Sequence, residues 1–142
     1  MMKTILIAVD GSNHARRALA TGADLASGLG ATLVLATVDD QGPLKGAVAE
    51  FAATEDLSRQ QVVEWILTSA TTVAEQAGAG RIETDYALGD PAGGVIELAA
   101  KHDADMIVLG ARGLSDLQGL VLGSVSHKVM NLTKLPCLIV RE

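Results

Sequence analysis

Ile5-Leu-Ile-Ala-Val9 is an unbroken apolar run that stops at Asp10-Gly-Ser-Asn13. A short aliphatic run without polar alternation is typical of a parallel strand that helices cover on both faces. Glycine breaks the strand, and Ser12 or Asn13 can cap a helix that follows it. This stretch therefore predicts a buried parallel strand, a turn and a helix at the start of the chain.

The rest of the sequence repeats this alternation of strand and helix. Further strands are expected at residues 31–38, 82–88, 105–109 and 135–140. Helices are expected after Asn13, from Ser58, from Asp90 and over 124–132, and residues 44–53 fit a short helix. The alternation implies right-handed crossovers and an open parallel five-stranded sheet with helices on both faces. We predict a single α/β domain over residues 1–142, with strand 82–88 near an edge of the sheet.

Length and composition argue against several functional classes. The chain has 142 residues, a formal net charge of −6, one cysteine, and one each of Phe, Trp and Tyr. An acidic chain with few aromatic rings lacks the basic patch and the stacking surface that bind nucleic acids. One cysteine excludes an internal disulfide and a cysteine-cluster zinc site. No apolar run reaches the ~18 residues of a membrane span, so we expect no membrane insertion and a cytoplasmic location.

A ligand is expected at the carboxyl end of the first strand. Two strand orders are natural for a five-stranded sheet of this kind. In both, the order in which strands are added reverses beside the first strand, and open α/β sheets bind ligands at the carboxyl ends of the strands there. Asp10 ends the first strand and can either contact a ribose hydroxyl or hold a divalent ion over phosphates. Its alternative role is a turn or helix-cap residue. Val38 ends the second strand, where it either faces a flat base or packs in the core.

Glycine and serine residues near the end of the chain form a second candidate site. Gly110-Ala-Arg-Gly113 follows the fourth strand, and Gly123-Ser-Val-Ser126 opens the last helix. Glycine permits close backbone approach, and helix N-termini bind anions. The hydroxyls of Ser124 and Ser126, and the charge of Arg112, can add phosphate contacts. The spacing indicates a phosphate cradle, and its alternative explanation is a flexible loop followed by an ordinary helix start.

No set of residues in the sequence indicates a catalytic triad or a metal centre. His14, His102 and His127 are scattered, so we expect solvated helix residues. Asp39 and Asp40 fit a turn better than a metal site.

These motifs together resemble the nucleotide-binding universal stress proteins. The resemblance rests on segments 5–12, 105–114, 123–126 and 135–140, so it covers nearly the whole chain. It implies a Rossmann-like fold of the adenine nucleotide alpha hydrolase type, with strand order 3-2-1-4-5. It also implies a homodimer formed through strand 135–140, and a protein partner of unknown identity.

The same resemblance implies which residues bind the nucleotide, either ATP with Mg²⁺ or AMP or ADP. It places Ala8, Val9 and Asp10 at the adenosine, with Asp10 near the ribose and, through Mg-ATP, near the metal. It places Val38 at the adenine. The ribose and phosphates are expected to contact Leu109, Gly110, Arg112, Gly113, Gly123, Ser124, Val125 and Ser126.

The favoured hypothesis is an ATP-binding stress or signalling module with at most slow hydrolysis, because the cradle is accompanied by no evident general base. An ATP-using enzyme on the same scaffold is an alternative, although loop 10–13 lacks the Ser-Gly-Gly and His-x-Gly-His motifs of such relatives. A receiver-like phosphoacceptor would use Asp90 and Lys134, but Asp10 has no acidic neighbour. A stress protein that binds no nucleotide and acts through protein contacts is a further alternative.

Overall fold

Strands and helices alternate along the chain in the computed structural model, which describes residues 1–112 and 122–141. The strands are β1 (Thr4–Ala8), β2 (Thr32–Asp39), β3 (Ile82–Leu88), β4 (Met106–Gly110) and β5 (Cys137–Val140). The helices are α1 (Asn13–Leu29), α2 (Gly46–Thr54), α3 (Arg59–Gln76), α4 (Pro91–Lys101) and α5 (Ser124–Leu132). All five expected strands and the expected helices are therefore present, with ends that differ by one or two residues.

The strands form one parallel sheet in the order β3-β2-β1-β4-β5. This confirms the order that the family resemblance implies, and it places β3 at an edge as the alternating sequence predicts. The chain reverses its direction of winding between β2 and β4, which flank β1 on opposite sides. The carboxyl ends of these three strands therefore meet at one crevice.

Helices cover both faces of the sheet. On one face α1, α2 and α3 pack against alternate strand residues such as Ile5, Ile7 and Leu35. On the other face α4 and α5 pack against the intervening residues, such as Leu6 and Ala36. Because successive side chains of a strand point to opposite faces, β1 must be apolar throughout, as its sequence indicates.

The predicted helix starts are confirmed by their caps. The Ser12 hydroxyl accepts a hydrogen bond from the N–H of Ala15 at 3.1 Å, and Ser58 forms the predicted capping box with Gln61. At α4 the carboxylate of Asp90 accepts a hydrogen bond from the N–H of Gly93 at 2.8 Å. These groups satisfy N–H donors that a helix leaves unpaired in its first turn. Asp90 thus acts as a cap in this structure.

Two boundaries differ from the sequence-based expectation for local physical reasons. β1 ends at Ala8, although the N–H of Val9 still donates to the carbonyl of Ala36 at 2.8 Å. The chain then turns at Gly11, whose φ of 84° is rare for residues with a side chain. β5 begins at Cys137, after Pro136, whose ring nitrogen has no hydrogen to donate to a neighbouring strand.

None of the helices in the described ranges combines the length and the apolar character needed to cross a bilayer.

Candidate functional site

A cavity of about 200 Å³ lies at the crevice between the carboxyl ends of β1, β2 and β4. Its lining joins both sides of the sheet: α2 and α3 contribute residues from one face, and α4 and α5 from the other. A second cavity of about 180 Å³ lies between α1 and α3, where Arg16, Trp65 and Ser69 line it. The first cavity is the one that the sequence predicts.

Most of the predicted site residues line this cavity. They are Ala8, Asp10, Val38, Leu109, Gly110, Arg112, Val125 and Ser126. Val9 is absent from this lining; it is buried in the core that α1 and α3 cover. Gly123 and Ser124 stand at the start of α5 but are not in the lining either. Gly113 lies outside the described residues.

The backbone of Val38 faces the crevice. In β2, the C=O of Ala36 bonds to β1 and the C=O of Asp39 accepts from Gly89 beyond β3. Because N–H and C=O groups of a strand alternate between its two neighbours, Val38 directs both groups to the β1 side. β1 ends opposite Ala36, so the Val38 donor and acceptor point into the space above the end of β1. Its side chain packs against α4.

Asp10 fills the turn role, one of the two alternatives that the sequence left open. Its Oδ1 accepts a hydrogen bond from the N–H of Ser12 at 2.8 Å, which braces the turn before α1. The residue also lines the cavity. Among the residues that the structure describes, no cluster of three or more His, Cys, Asp or Glu side chains is placed to hold a metal ion. A carboxylate at this position suits Mg²⁺ that arrives with phosphates, since Mg²⁺ keeps several of its waters.

Ser126 has a structural role that the sequence-based expectation missed. Its residue is 4% exposed, and its hydroxyl donates to the carbonyl oxygens of Gly110 at 2.8 Å and Ala111 at 3.2 Å. The proton of Ser126 is thus directed to the main chain at the end of β4, whereas we had expected it to reach a phosphate. This contact fixes the first turn of α5 against β4.

Gly110 is required by close packing. A Cβ at this position would lie 3.0 Å from the backbone carbon and oxygen of His14 in α1. Real Cβ atoms seldom come so close to a backbone, so a side chain at residue 110 would press the first turn of α1 away from the end of β4. The glycine thereby brings the start of α1 and the end of β4 to the same cavity.

The start of α5 lacks the side-chain cap that three other helices have. At α1, α3 and α4 the N-cap side chain accepts a backbone N–H. α5 begins at Ser124, after Gly123, and like α2 it has no side-chain cap in the described part of the chain. Its first N–H groups, together with the helix dipole, favour an anion at this end of the cavity. This is the position at which the sequence predicts a phosphate cradle.

The sequence-based expectation missed the side of the cavity that α2 and α3 form. The additional lining residues are Ala15, Thr37, Asp39, Asp40, Pro43, Leu44, Lys45, Val48, Arg59, Val62, Val63, Ile66, Pro91 and Val95. Most come from segment 37–66, where the sequence before Ser58 has little regular periodicity. The one available signal was the alternation in β2, which places Thr37 and Asp39 beside Val38.

Asp39 belongs to this missed side and forms an ion pair. Arg59 donates from Nε to Oδ2 of Asp39 at 3.2 Å and also pairs its Nη2 with Oδ1. This hydrogen bonding is the largest influence on the pKa of Asp39 and holds it below its usual value, although burial acts in the opposite direction. Asp39 accepts the N–H of Gln41 at 2.8 Å and Asp40 that of Gly42 at 2.9 Å. The turn interpretation is therefore confirmed for both, although Asp39 is also the last residue of β2.

His102 differs from the expectation that the three histidines are solvated helix residues. Its Nε2 lies 2.8 Å from Oδ2 of Asp85, and Nζ of Lys101 donates to the same oxygen at 2.8 Å. The His102 side chain is partly buried. The pair joins the end of α4 to the edge strand β3, away from the cavity.

Comparison with known proteins identifies the family. The profile of the Universal stress protein family matches residues 1–141. The Universal stress protein YxiE of Bacillus subtilis is 36% identical, and the match covers 99% of this chain and 100% of that one. A universal stress protein solved in complex with cAMP is 30% identical, covers 98% of this chain and 97% of its own, and gives a TM-score of 0.74. The fold is shared with UspA of Lactobacillus plantarum, which is 23% identical, covers 99% of this chain and 98% of its own, and has a TM-score of 0.73. This chain therefore belongs to the universal stress protein family.

Proposed function

We propose that the protein binds an adenine nucleotide in the cavity at the carboxyl ends of β1, β2 and β4, and that it acts as a nucleotide-responsive module. The deciding observation is the backbone of Val38, which presents one donor and one acceptor to the cavity. This pair complements the N1 acceptor and the N6 donor of adenine. The relative that was solved with cAMP supports an adenine nucleotide as the ligand class.

The phosphate end of the ligand is proposed to lie at the start of α5. Val125 and Ser126 line the cavity there, and Arg112 lines it from the end of β4. The N-terminus of α5, with its helix dipole, favours negative charge. We propose ATP as the ligand because this end offers both a helix N-terminus and a cation. Asp10 would then face the ribose and the Mg²⁺ that accompanies the phosphates.

The residues of the cavity suit nucleotide binding better than efficient hydrolysis. General-base catalysis needs a titratable group within hydrogen-bond reach of the attacking water. In the described part of the lining there is no histidine. Asp39 is engaged by Arg59, and Asp10 braces its own turn. We propose that any hydrolysis is slow, below the roughly 1 s⁻¹ at which ordinary enzymes begin.

Calorimetric titration tests the proposed ligand. Protein stripped of copurified nucleotide is titrated with ATP and Mg²⁺, ADP, AMP, cAMP and GTP. Saturable binding of at least one adenine nucleotide, with GTP weaker, is expected. Absence of binding for every adenine nucleotide up to millimolar concentration would overturn the proposal and favour a family member that acts through protein contacts. Phosphate release measured on the same samples distinguishes a module from an ATP-using enzyme.

We also propose a homodimer through segment 135–140. β5 is an edge strand whose four residues are all partly exposed, and Met130 and Leu132 on the neighbouring α5 are exposed apolar residues. Unpaired strand edges and apolar surface are typical of interfaces between copies. Light scattering should give a molar mass of twice that of one chain for the wild-type protein. For Ile139→Lys it should give the mass of a single chain.

A further inference from the structure

Thr37 places a side-chain hydroxyl at the cavity. The residue is 4% exposed and lines the cavity. Within residues 1–112 and 122–141, no hydrogen bond joins its hydroxyl to another group. Among the described residues, no buried side-chain oxygen or nitrogen lacks a hydrogen-bond partner, so the Thr37 oxygen is accessible and not sealed in the core. A hydroxyl that borders a cavity and makes no hydrogen bond to the described chain is available to a ligand.

The register of β2 determines where this hydroxyl points. Leu33 and Leu35 belong to the core beneath α1 and α3, so Thr37, two residues further along, faces the same side. Val38 has its side chain on the α4 side, and its backbone donor and acceptor face the end of β1. Thr37 and Val38 thus present a side-chain group and two main-chain groups to one region of the cavity.

Aliphatic side chains form much of the α2 and α3 side of the cavity that Thr37 borders. Val48, Val62, Val63 and Ile66 line the cavity from these two helices. The Asp39–Arg59 ion pair joins the end of β2 to the start of α3. Aliphatic side chains suit the flat face of a base and exclude water. In such surroundings a hydrogen bond from the hydroxyl gains strength, since fewer waters compete for it.

We propose that Thr37 is a specificity-determining residue, whose hydroxyl donates a hydrogen bond to a ring nitrogen of the purine. This inference rests on the proposed function and adds a residue to it. The base is the part of the nucleotide within reach, because Thr37 is adjacent in β2 to the main-chain groups that meet the adenine edge. The phosphate end, at β4 and α5, is two strands away, which is about 10 Å at the usual strand spacing.

Two substitutions separate the hydroxyl from the packing. Thr37→Val keeps the shape and removes the hydroxyl, whereas Thr37→Ser keeps the hydroxyl and removes the methyl group. Calorimetry with ATP should show roughly three- to tenfold weaker binding for Thr37→Val, as expected for one lost hydrogen bond. Thr37→Ser should remain within about twofold of the wild-type protein. Thr32→Val, at the amino end of the same strand, is the matched control and should leave affinity unchanged.

Deaza analogues of ATP identify the acceptor. 7-Deaza-ATP and 3-deaza-ATP each lack one ring nitrogen. One of them should bind wild-type protein more weakly than ATP and should lose nothing further in Thr37→Val. If Thr37→Val binds ATP as tightly as wild-type protein does, or if it loses the same factor for ATP and both analogues, the inference is wrong. Failure of wild-type protein to bind any adenine nucleotide would instead overturn the proposed function.

Thermal unfolding without nucleotide excludes a folding defect. Thr37→Val should unfold at a temperature no lower than wild-type protein, because the hydroxyl that it removes makes no hydrogen bond within residues 1–112 and 122–141. A variant that loses nucleotide affinity while it retains its unfolding temperature has lost a ligand contact. A Thr37→Val protein whose unfolding temperature falls in step with its affinity would show that the hydroxyl supports the fold, which contradicts the inference.

Discussion

Arg59 and Asp39 join the first residue of α3 to the last residue of β2 through two contacts between guanidinium and carboxylate. The pair lies in the cavity lining, 20 positions apart in sequence. Segment 40–58, which contains α2, is therefore held at both ends against the sheet. This pair belongs to the α2 and α3 side of the cavity, which the sequence motifs do not predict.

Arg59→Gln should loosen this side of the cavity. A guanidinium makes two parallel hydrogen bonds to a carboxylate, and a glutamine amide makes one at most. Faster hydrogen exchange is expected in the first turn of α3, together with weaker nucleotide binding. Arg81→Gln, at an exposed and longer contact with Glu83, is the control and should change neither. Unchanged exchange in α3 would mean that the ion pair does not hold the segment.

Gly94→Ala should push Val38 into the site. A Cβ on Gly94 would lie 2.7 Å and 2.9 Å from the two methyl carbons of Val38. Overpacking of this kind costs about 1–3 kcal/mol of unfolding free energy, and displacement of Val38 should weaken nucleotide binding. Gly28→Ala is the matched control, since a Cβ added there would have no atom of the described residues within 4 Å. It should stabilise α1 by up to about 1 kcal/mol and leave binding unchanged. Equal effects of both substitutions on binding would contradict this prediction.

Ser124 and Ser126 should behave differently although both open α5. Ser126→Ala removes the hydroxyl that donates to Gly110 and Ala111, and should lower the unfolding free energy by about 1–3 kcal/mol. Ser124 is exposed, so Ser124→Ala should change stability little and should weaken binding of ATP if its hydroxyl contacts phosphate. Urea unfolding and calorimetry on the two variants check this. A larger stability loss in Ser124→Ala would reverse the assignment.

Asp85 should contribute to stability at neutral pH and lose that contribution in acid. Burial raises its pKa, but hydrogen bonds from Lys101 and His102 outweigh burial and hold the pKa below its usual value. A carboxyl with a lowered folded-state pKa stabilises the fold above the unfolded value of about 3.9, and the contribution is lost as pH falls through the folded-state pKa. Urea unfolding at neutral pH and near pH 3 should therefore show a smaller acid-induced loss for Asp85→Asn than for wild-type protein.

A charge-matched control completes the pH experiment. Asp24→Asn removes a carboxylate from the exposed side of α1 and should leave the acid-induced loss as in wild-type protein. If Asp24→Asn and Asp85→Asn behave alike, net charge and not the cluster at Asp85 accounts for the pH dependence.

Much of the fold is predictable because it depends on local patterns. The apolar runs mark each strand, and Ser12, Ser58 and Asp90 mark helix starts because their side chains satisfy N–H groups within the next turn. These patterns allow two strand orders, and the family resemblance selects the order 3-2-1-4-5. The edge position of β3 was visible in its polar alternation, and none of its seven residues is buried.

The candidate site was predictable where it depends on strand ends and glycines, and obscure where it depends on packing between distant segments. Asp10 and Val38 were found because they lie within two residues of the carboxyl ends of β1 and β2, at the switch point. The role of Ser126 in holding α5 to β4, and the glycine at 110 beneath α1, arise from contacts between separate elements. Arg59 and His102 likewise contact Asp39 and Asp85, which belong to other elements of the fold. The spacing of these residues along the chain does not predict such pairs.

Amide chemical shifts recorded during a titration with Mg-ATP test the placement of the nucleotide most directly. Nitrogen-15-labelled protein, stripped of nucleotide, is followed as ATP is added. The largest shifts are expected at Val38 and at Asp10 and Val125, because these amides stand at the base, ribose and phosphate ends of the proposed site. Shifts confined to Trp65 and Ser69 would place the nucleotide in the cavity between α1 and α3, and would contradict the proposed site.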